Sequence, residues 1–177
     1  GDNCHAICEM LAGTERLISP TRFHNSVHNA AAGYWGIAME CMAPSTSLCA
    51  NDGSFAAGLL EAAVQARASQ TAILLVASDA PYPEPLHSAR PLRCSFGVGL
   101  VMAAERSERA IARLQLSLTN AIPSVMANAA LERLRTDAPA ARALPLLQRL
   151  AGGGSLVGGV HLDYLDGCAL TVALQTI

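Results

Sequence analysis

At 177 residues, with 51% hydrophobic and 15% charged side chains, the chain can build a domain with a proper core and is apolar for its size. A net charge of −2 leaves no basic stripe for nucleic acid, and three Phe, three Tyr and one Trp offer few stacking platforms. Asp79, Pro81 and Glu105 break the apolar runs before any reaches a membrane span, so the surplus apolar surface points to a subunit interface.

In chain order, residues 1–13 read as a helix capped by Asp2 or Asn3, with Ile7, Met10 and Leu11 as its apolar stripe and Gly13 as its stop. Ser19-Pro20-Thr21 reads as a loop. Ser26 to Glu40 reads as a helix with Val27, Ala30, Ala31 and Tyr34 on one face, and Gly33 and Gly36 suit close packing. Ser45 to Cys49, between Pro44 and Asn51-Asp52-Gly53, reads as a short strand. Asn51 or Asp52 then caps a helix with Ala56, Leu59, Leu60, Ala63 and Val64 on its apolar face, while Gly53 and Gly58 imply close backbone approach. Ile73 to Ala77 is an uninterrupted apolar run, as in a strand covered on both faces.

Tyr82 to Leu92, with Pro83, Pro85 and Pro91, reads as an extended surface loop. Cys94 to Ala104 and Ala110 to Leu118 read as adjacent strands joined by the polar turn Arg106 to Arg109. Pro123 to Arg135 and Ala140 to Leu150 read as amphipathic helices, punctuated by Pro139 and Pro145. Gly152-Gly153-Gly154 is a link without the Gly-Lys-Ser/Thr ending of a phosphate loop. Val160 to Tyr164 and Cys168 to Leu174 flank Asp166-Gly167, a hairpin signal. No internal repeat is seen.

Several polar residues invite chemistry. A tight turn into a helix N-terminus favours a thiolate, which makes Cys49 a candidate acyl-accepting nucleophile; a buried structural cysteine is the plainer reading. Ser45, Thr46 and Ser47 lie near that turn and suit an acyl carbonyl or a strand end. His28 and Asn29 suit a cavity lining or a hydrogen-bonded core pair. Asp79 ends a buried strand, where a carboxylate needs backbone amides or an Arg as partners. Ser26, His28 and Asp79 would make a hydrolase triad, but no G-x-S-x-G elbow supports it. Cys4, Cys8, His24 and His28 fall at C-x3-C-x15-H-x3-H, near a zinc pattern. The link holds Leu11, Leu17 and Ile18, and its one aromatic, Phe23, directly adjoins His24, so Cys4 and Cys8 are expected to pack as small apolar residues and no metal is assigned. Six widely spread cysteines read as free thiols of a reducing cytoplasm.

The stretch from Pro44 to Pro81 resembles the nucleophile-helix region of the β-ketoacyl synthases, members of the thiolase fold. Upstream, SPTRFHNSVHNAAAGYW carries their Asn-x-x-Ala-Gly element at Asn29 to Gly33; downstream, CSFGVGLVMAAE and AIARLQLSL resemble the two following strands. The resemblance covers Ser19 to Leu118, and SPTRFHNSVHNAAAG with the SF-x-x-G-L-L-E-A run resembles small proteins described as chain length factors of aryl-polyene and related pigment pathways.

With Gly53 and Gly58 on the family's two helix glycines, the nucleophile position falls on Ala50, and Cys49 sits one residue early. Val98 lies between Gly97 and Gly99 where the family has an acidic residue, and the two C-terminal histidine motifs of the family do not occur. What the resemblance implies is an α/β thiolase-like half-domain over 1–177, one mixed sheet covered by helices, trimmed of two N-terminal strands. It implies a non-catalytic subunit that pairs with a catalytic β-ketoacyl synthase as a heterodimer, or self-associates, through Ile73 to Ala77 and the helix before it. Acyl carrier protein is the further partner implied, no cofactor is expected, and His28, Asn29, Ser47, Ala50 and Phe55 are the acyl-pocket candidates. A small acyltransferase or condensing enzyme using Cys49 is the alternative, and a zinc-binding adaptor a third reading.

Overall fold

The computed structural model describes residues 2–14, 16–152 and 159–175. They form two compact units, Gly1–Leu48 with Tyr82–Pro91, and Cys49–Pro81 with Leu92–Ile177.

The first unit is helical. Helix α1 (Asp2–Ala12) ends as expected at Gly13, whose N–H reaches the Glu9 carbonyl at 3.2 Å. The expected loop at Ser19-Pro20-Thr21 is instead the start of helix α2 (Pro20–His24). Ser19 Oγ accepts from the Arg22 N–H and Pro20 stands at the first helical position, where a missing N–H costs nothing. Helix α3 (Ala30–Ala38) is shorter than Ser26 to Glu40, because turns occupy the residues before it. A β-carbon on Gly33 would meet nothing within 4 Å, so the close approach expected there is absent; on Gly36 it would lie 3.3 Å from the Cys41 carbonyl. The expected extended segment at Tyr82 to Leu92 contains one turn of helix, α5 (Leu86–Ala89). Glu84 supports that turn by accepting from the Ser88 N–H and hydroxyl.

The second unit holds the sheets and the larger core. No strand forms over Ser45 to Cys49, since a strand exists only within a ladder and none of the described strands pairs there. A 3-10 turn, Asn51–Gly53, leads into helix α4 (Ser54–Ser69), whose N-cap position is Gly53 rather than the expected Asn51 or Asp52. The buried face of α4 is Phe55, Ala56, Leu59, Ala62 and Ala66; Val64, expected on it, is exposed.

Strand β1 (Ile73–Asp79) pairs antiparallel with β2 (Phe96–Met102), with Leu74 opposite Val101 and Val76 opposite Gly99. Burial alternates along both strands, so β1 is not covered on both faces as its apolar run suggested. Leu75, Ala77, Val98 and Leu100 face the core, while Leu74, Val76 and Val101 are exposed.

Strand β3 (Arg113–Thr119) does not pair with β2 but joins a second sheet in the order β3-β5-β4, with β4 (Gly159–Leu165) and β5 (Cys168–Gln175). The α/β class with helices on sheets is thus as expected. The described pairings are all antiparallel and fall in two sheets rather than one mixed sheet. The hairpin at Asp166-Gly167 forms as expected, with Gly167 at φ 69°, a left-handed position that suits glycine.

Between β3 and β4 come α6 (Ala129–Asp137), a 3-10 turn (Pro139–Ala143) and α7 (Leu144–Ala151). Asn128 caps α6 by accepting from the Ala130 and Leu131 N–H groups. The part of the glycine link at 153–154 lies outside the described residues. Phe55 and Leu59 of α4, Leu146 of α7, Val160 and Leu162 of β4, and Leu170 and Val172 of β5 form the core. Each side chain of this size stabilises the fold by about 1.5–3 kcal/mol on burial. Helix α4 packs against both β1 and β4, and the Pro139–Ala143 turn against β1, β2 and β4, so the two together tie the sheets to one core.

Candidate functional site

The turn ahead of α4 carries the position the sequence marks for chemistry. Ala50 has φ −139° and ψ 43°, and Asn51 follows at φ 50°, a left-handed conformation that asparagine tolerates better than most residues. The turn is closed by its own hydrogen bonds. The Ala50 N–H donates to Ser54 Oγ at 2.9 Å, the Ser54 hydroxyl donates to the Asn51 carbonyl at 2.6 Å, and the Gly53 N–H donates to the Ala50 carbonyl at 3.0 Å. Backbone N–H groups at such turns are the usual donors to the oxyanion of an acyl intermediate. Here the donor of residue 50 is taken up by a side chain of its own helix.

Behind the turn, Gly53 is buried against the main chain of Tyr164, and a β-carbon at residue 53 would collide with the Tyr164 carbonyl. The close approach expected at Gly53 is therefore real. At Gly58 the nearest atom to an added β-carbon is Leu75 Cδ1 at 3.0 Å.

A chain of charges lies beside this contact. Asp163 Oδ2 accepts from Arg135 Nη1, and Asp163 Oδ1 forms an ion pair with Arg142 Nη1, both at 2.7 Å. Arg142 Nη2 continues to Asp52 Oδ2 at 3.4 Å, within the turn itself. Arg135 also grips Glu132 through Nε and Nη2, and Glu132 Oε2 accepts from the Met126 N–H at 2.8 Å. Hydrogen bonding from Arg135, then from the Met126 N–H, holds the Glu132 carboxyl at about 2, below its ordinary 4.5. The same Glu132 bond, with the Asp163 charge, raises Arg135, which is only 6% exposed.

The other expected residues are placed as follows. Cys49 is exposed, not the buried structural cysteine of the plainer reading, and Ala50 and Ser47 are half-buried. Phe55 lies in the core of the second unit at 1% exposure. His28 and Asn29, in the first unit, are exposed in the turn before α3 rather than a core pair. Ser26 is held locally, its hydroxyl donating to the Phe23 carbonyl at 2.7 Å. Asp79 finds the backbone amide expected of it, accepting from the Ala140 N–H at 2.6 Å.

Cys4 and Cys8 are exposed rather than packed, because α1 buries no residue fully. The His24 ring meets Tyr34 edge-on at 6.5 Å, and Cys4 Sγ lies 3.8 Å from the Ser26 carbonyl. Among the described residues no three His, Cys, Asp or Glu side chains converge as a metal group, so the zinc pattern of Cys4, Cys8, His24 and His28 does not assemble. Ser54 and the Arg142–Asp163–Arg135–Glu132 chain are what sequence reasoning missed, and Asn51 and Asp52 were legible only as candidate helix caps. Of the missed residues only Ser54, at the head of an apolar helix, carried a local signal.

Residues 4–155 match the family model of the β-ketoacyl synthase N-terminal domain. A search of curated proteins found no match. Among solved structures, the fold is similar to a chain of the ketosynthase ApeO in complex with its chain length factor ApeC from Xenorhabdus doucetiae, with a TM-score of 0.69 and 23% identity. The likeness covers 97% of this chain and 64% of that one, so this chain spans under two thirds of the length of the structure it matches. At that identity the likeness bears on fold alone.

Proposed function

The chain belongs to the β-ketoacyl synthase N-terminal domain family, and from that premise we propose that it is a non-catalytic, chain-length-factor-like subunit that pairs with a catalytic ketosynthase. One observation carries the reading: residue 50, which the resemblance aligns with the family's nucleophile, is alanine, and its backbone N–H donates to Ser54 Oγ at 2.9 Å. A condensing enzyme needs a thiolate there and a donor for the oxyanion beside it. At residue 50 the turn offers neither group. The solved complex that the fold resembles joins a ketosynthase to a chain length factor, which agrees with such a pairing.

The open face of β1 and β2 supports a partner surface. Leu74 at 48%, Val76 at 62% and Val101 at 74% exposure form an apolar strip, and among the described residues β1 has a ladder neighbour on one edge only. The partner would supply the thioester, delivered by an acyl carrier protein, while this subunit shapes the acyl pocket near Ala50 in aryl-polyene or related fatty-acid and polyketide-type synthesis in the cytoplasm.

Co-expression with a catalytic β-ketoacyl synthase, followed by light scattering and intact mass after exposure to an acyl thioester, tests this. A one-to-one complex acylated only on the synthase is the expected result. An adduct on this chain that disappears in Cys49→Ala would replace the proposal with the acyltransferase reading.

A further inference from the structure

Two separate contacts join the end of β4 to the turn ahead of α4. Asp163 holds Arg142, and Arg142 reaches Asp52 with its other terminal nitrogen. One residue further on, the Tyr164 main chain fills the space over Gly53. The register of β4 against β5 slips between Asp163 and Leu165, so Tyr164 leaves the regular ladder where it meets the turn. Arg142 Nε is buried with no hydrogen-bond partner among the described residues, while its two terminal nitrogens face Asp163 and Asp52.

We infer that Asp163 and Arg142 are positioning residues: with the Tyr164 bulge they form a seat that fixes the Asn51–Gly53 turn, and hence the backbone at Ala50. Arg135, itself gripped by Glu132, holds Asp163 from the other side, so the seat is anchored on α6 as well as on β4. The arrangement suits a residue that must present a fixed wall rather than react. Asn51 at φ 50° is a conformation that relaxes once its surroundings loosen. The functional meaning of the seat rests on the reading that Ala50 borders an acyl pocket; the seat itself does not.

Arg142→Lys separates positioning from simple stability. Lysine keeps the charge and can hold Asp163, but it lacks the second arm that reaches Asp52. Hydrogen–deuterium exchange on the full chain, without partner or acyl chain, is expected to show amides 51–54 exchanging about tenfold faster, with the C-terminal half of α4 and β5 unchanged. The melting temperature should stay the same. Asp163→Asn should give the same local pattern more strongly; if it does not fold, Arg142→Lys decides alone. Unchanged exchange at 51–54 in Arg142→Lys, or a uniform rise across the second unit, would overturn the inference. Because no partner is present, a failed ketosynthase pairing leaves this result standing.

Discussion

The carbonyl oxygen of Tyr164 rests against the Cα of Gly53, in the place where any other residue would carry its β-carbon. Strand β4 and the turn ahead of α4 thus meet main chain to main chain, and neither can withdraw without opening the core around Phe55 and Leu162. Gly53→Ala is therefore expected to destabilise the protein by about 3 kcal/mol, seen as a lower urea midpoint. Gly58→Ala should cost far less, because the atom it meets is a rotatable Leu75 methyl and alanine favours a helix by up to about 1 kcal/mol. Equal losses at the two sites would show that the Tyr164 contact is not the reason for Gly53.

Ser54 closes the turn from both ends, accepting from the Ala50 N–H and donating to the Asn51 carbonyl. Ser54→Ala removes both bonds and should lower stability by about 1–2 kcal/mol, while Ser54→Thr, which keeps the hydroxyl, should recover most of it. Chemical denaturation of the two variants checks this. A neutral Ser54→Ala would mean water replaces the hydroxyl at no cost.

The pH dependence follows from Glu132. Its carboxyl sits at about 2 in the folded protein against an ordinary 4.5, through Arg135 first and the Met126 N–H second. The unfolded chain therefore binds this proton more readily than the folded one. The stabilising contribution is complete above a pH of about 4.5 and disappears as the pH falls toward about 2. Urea midpoints measured down that range should fall steeply for the parent chain. Glu132→Gln should start lower at neutral pH and show a flatter acid limb; parallel acid limbs would assign the transition to other carboxylates.

On the open sheet face, Leu74→Asp and Val76→Asp place a charge where the side chain is already in water. Each should change the stability of the isolated chain by no more than about 0.5 kcal/mol. Each should also weaken association with a ketosynthase by about thirtyfold, the scale of a central interface residue. Binding that is indifferent to both would move the interface away from β1.

Much of the fold was legible because it is locally encoded. The Asp166-Gly167 hairpin, the Gly13 stop of α1 and the run of α4 each depend on neighbours a few residues away. Ser19-Pro20 is as local: a serine cap with proline at the first helical position marks a helix start as readily as a loop. What misled at β1 was a rule about context: five consecutive apolar residues fit a strand covered on both faces, but equally one whose second face stays open. No pattern in Cys94 to Leu118 distinguishes a pair of adjacent strands from strands of two different sheets.

By itself, the sequence determined that residue 50 is alanine, that Cys49 precedes it, and that glycines stand at 53 and 58. Those identities follow from the order of residues and need no coordinates. Only the tertiary structure decided why Gly53 is required, what takes up the Ala50 N–H, and which charges meet at Asp163. The physical reason is separation along the chain. Asp52, Arg142 and Asp163 become partners only once α4, the Pro139–Ala143 turn and β4 have packed around one core, and no local propensity encodes that meeting.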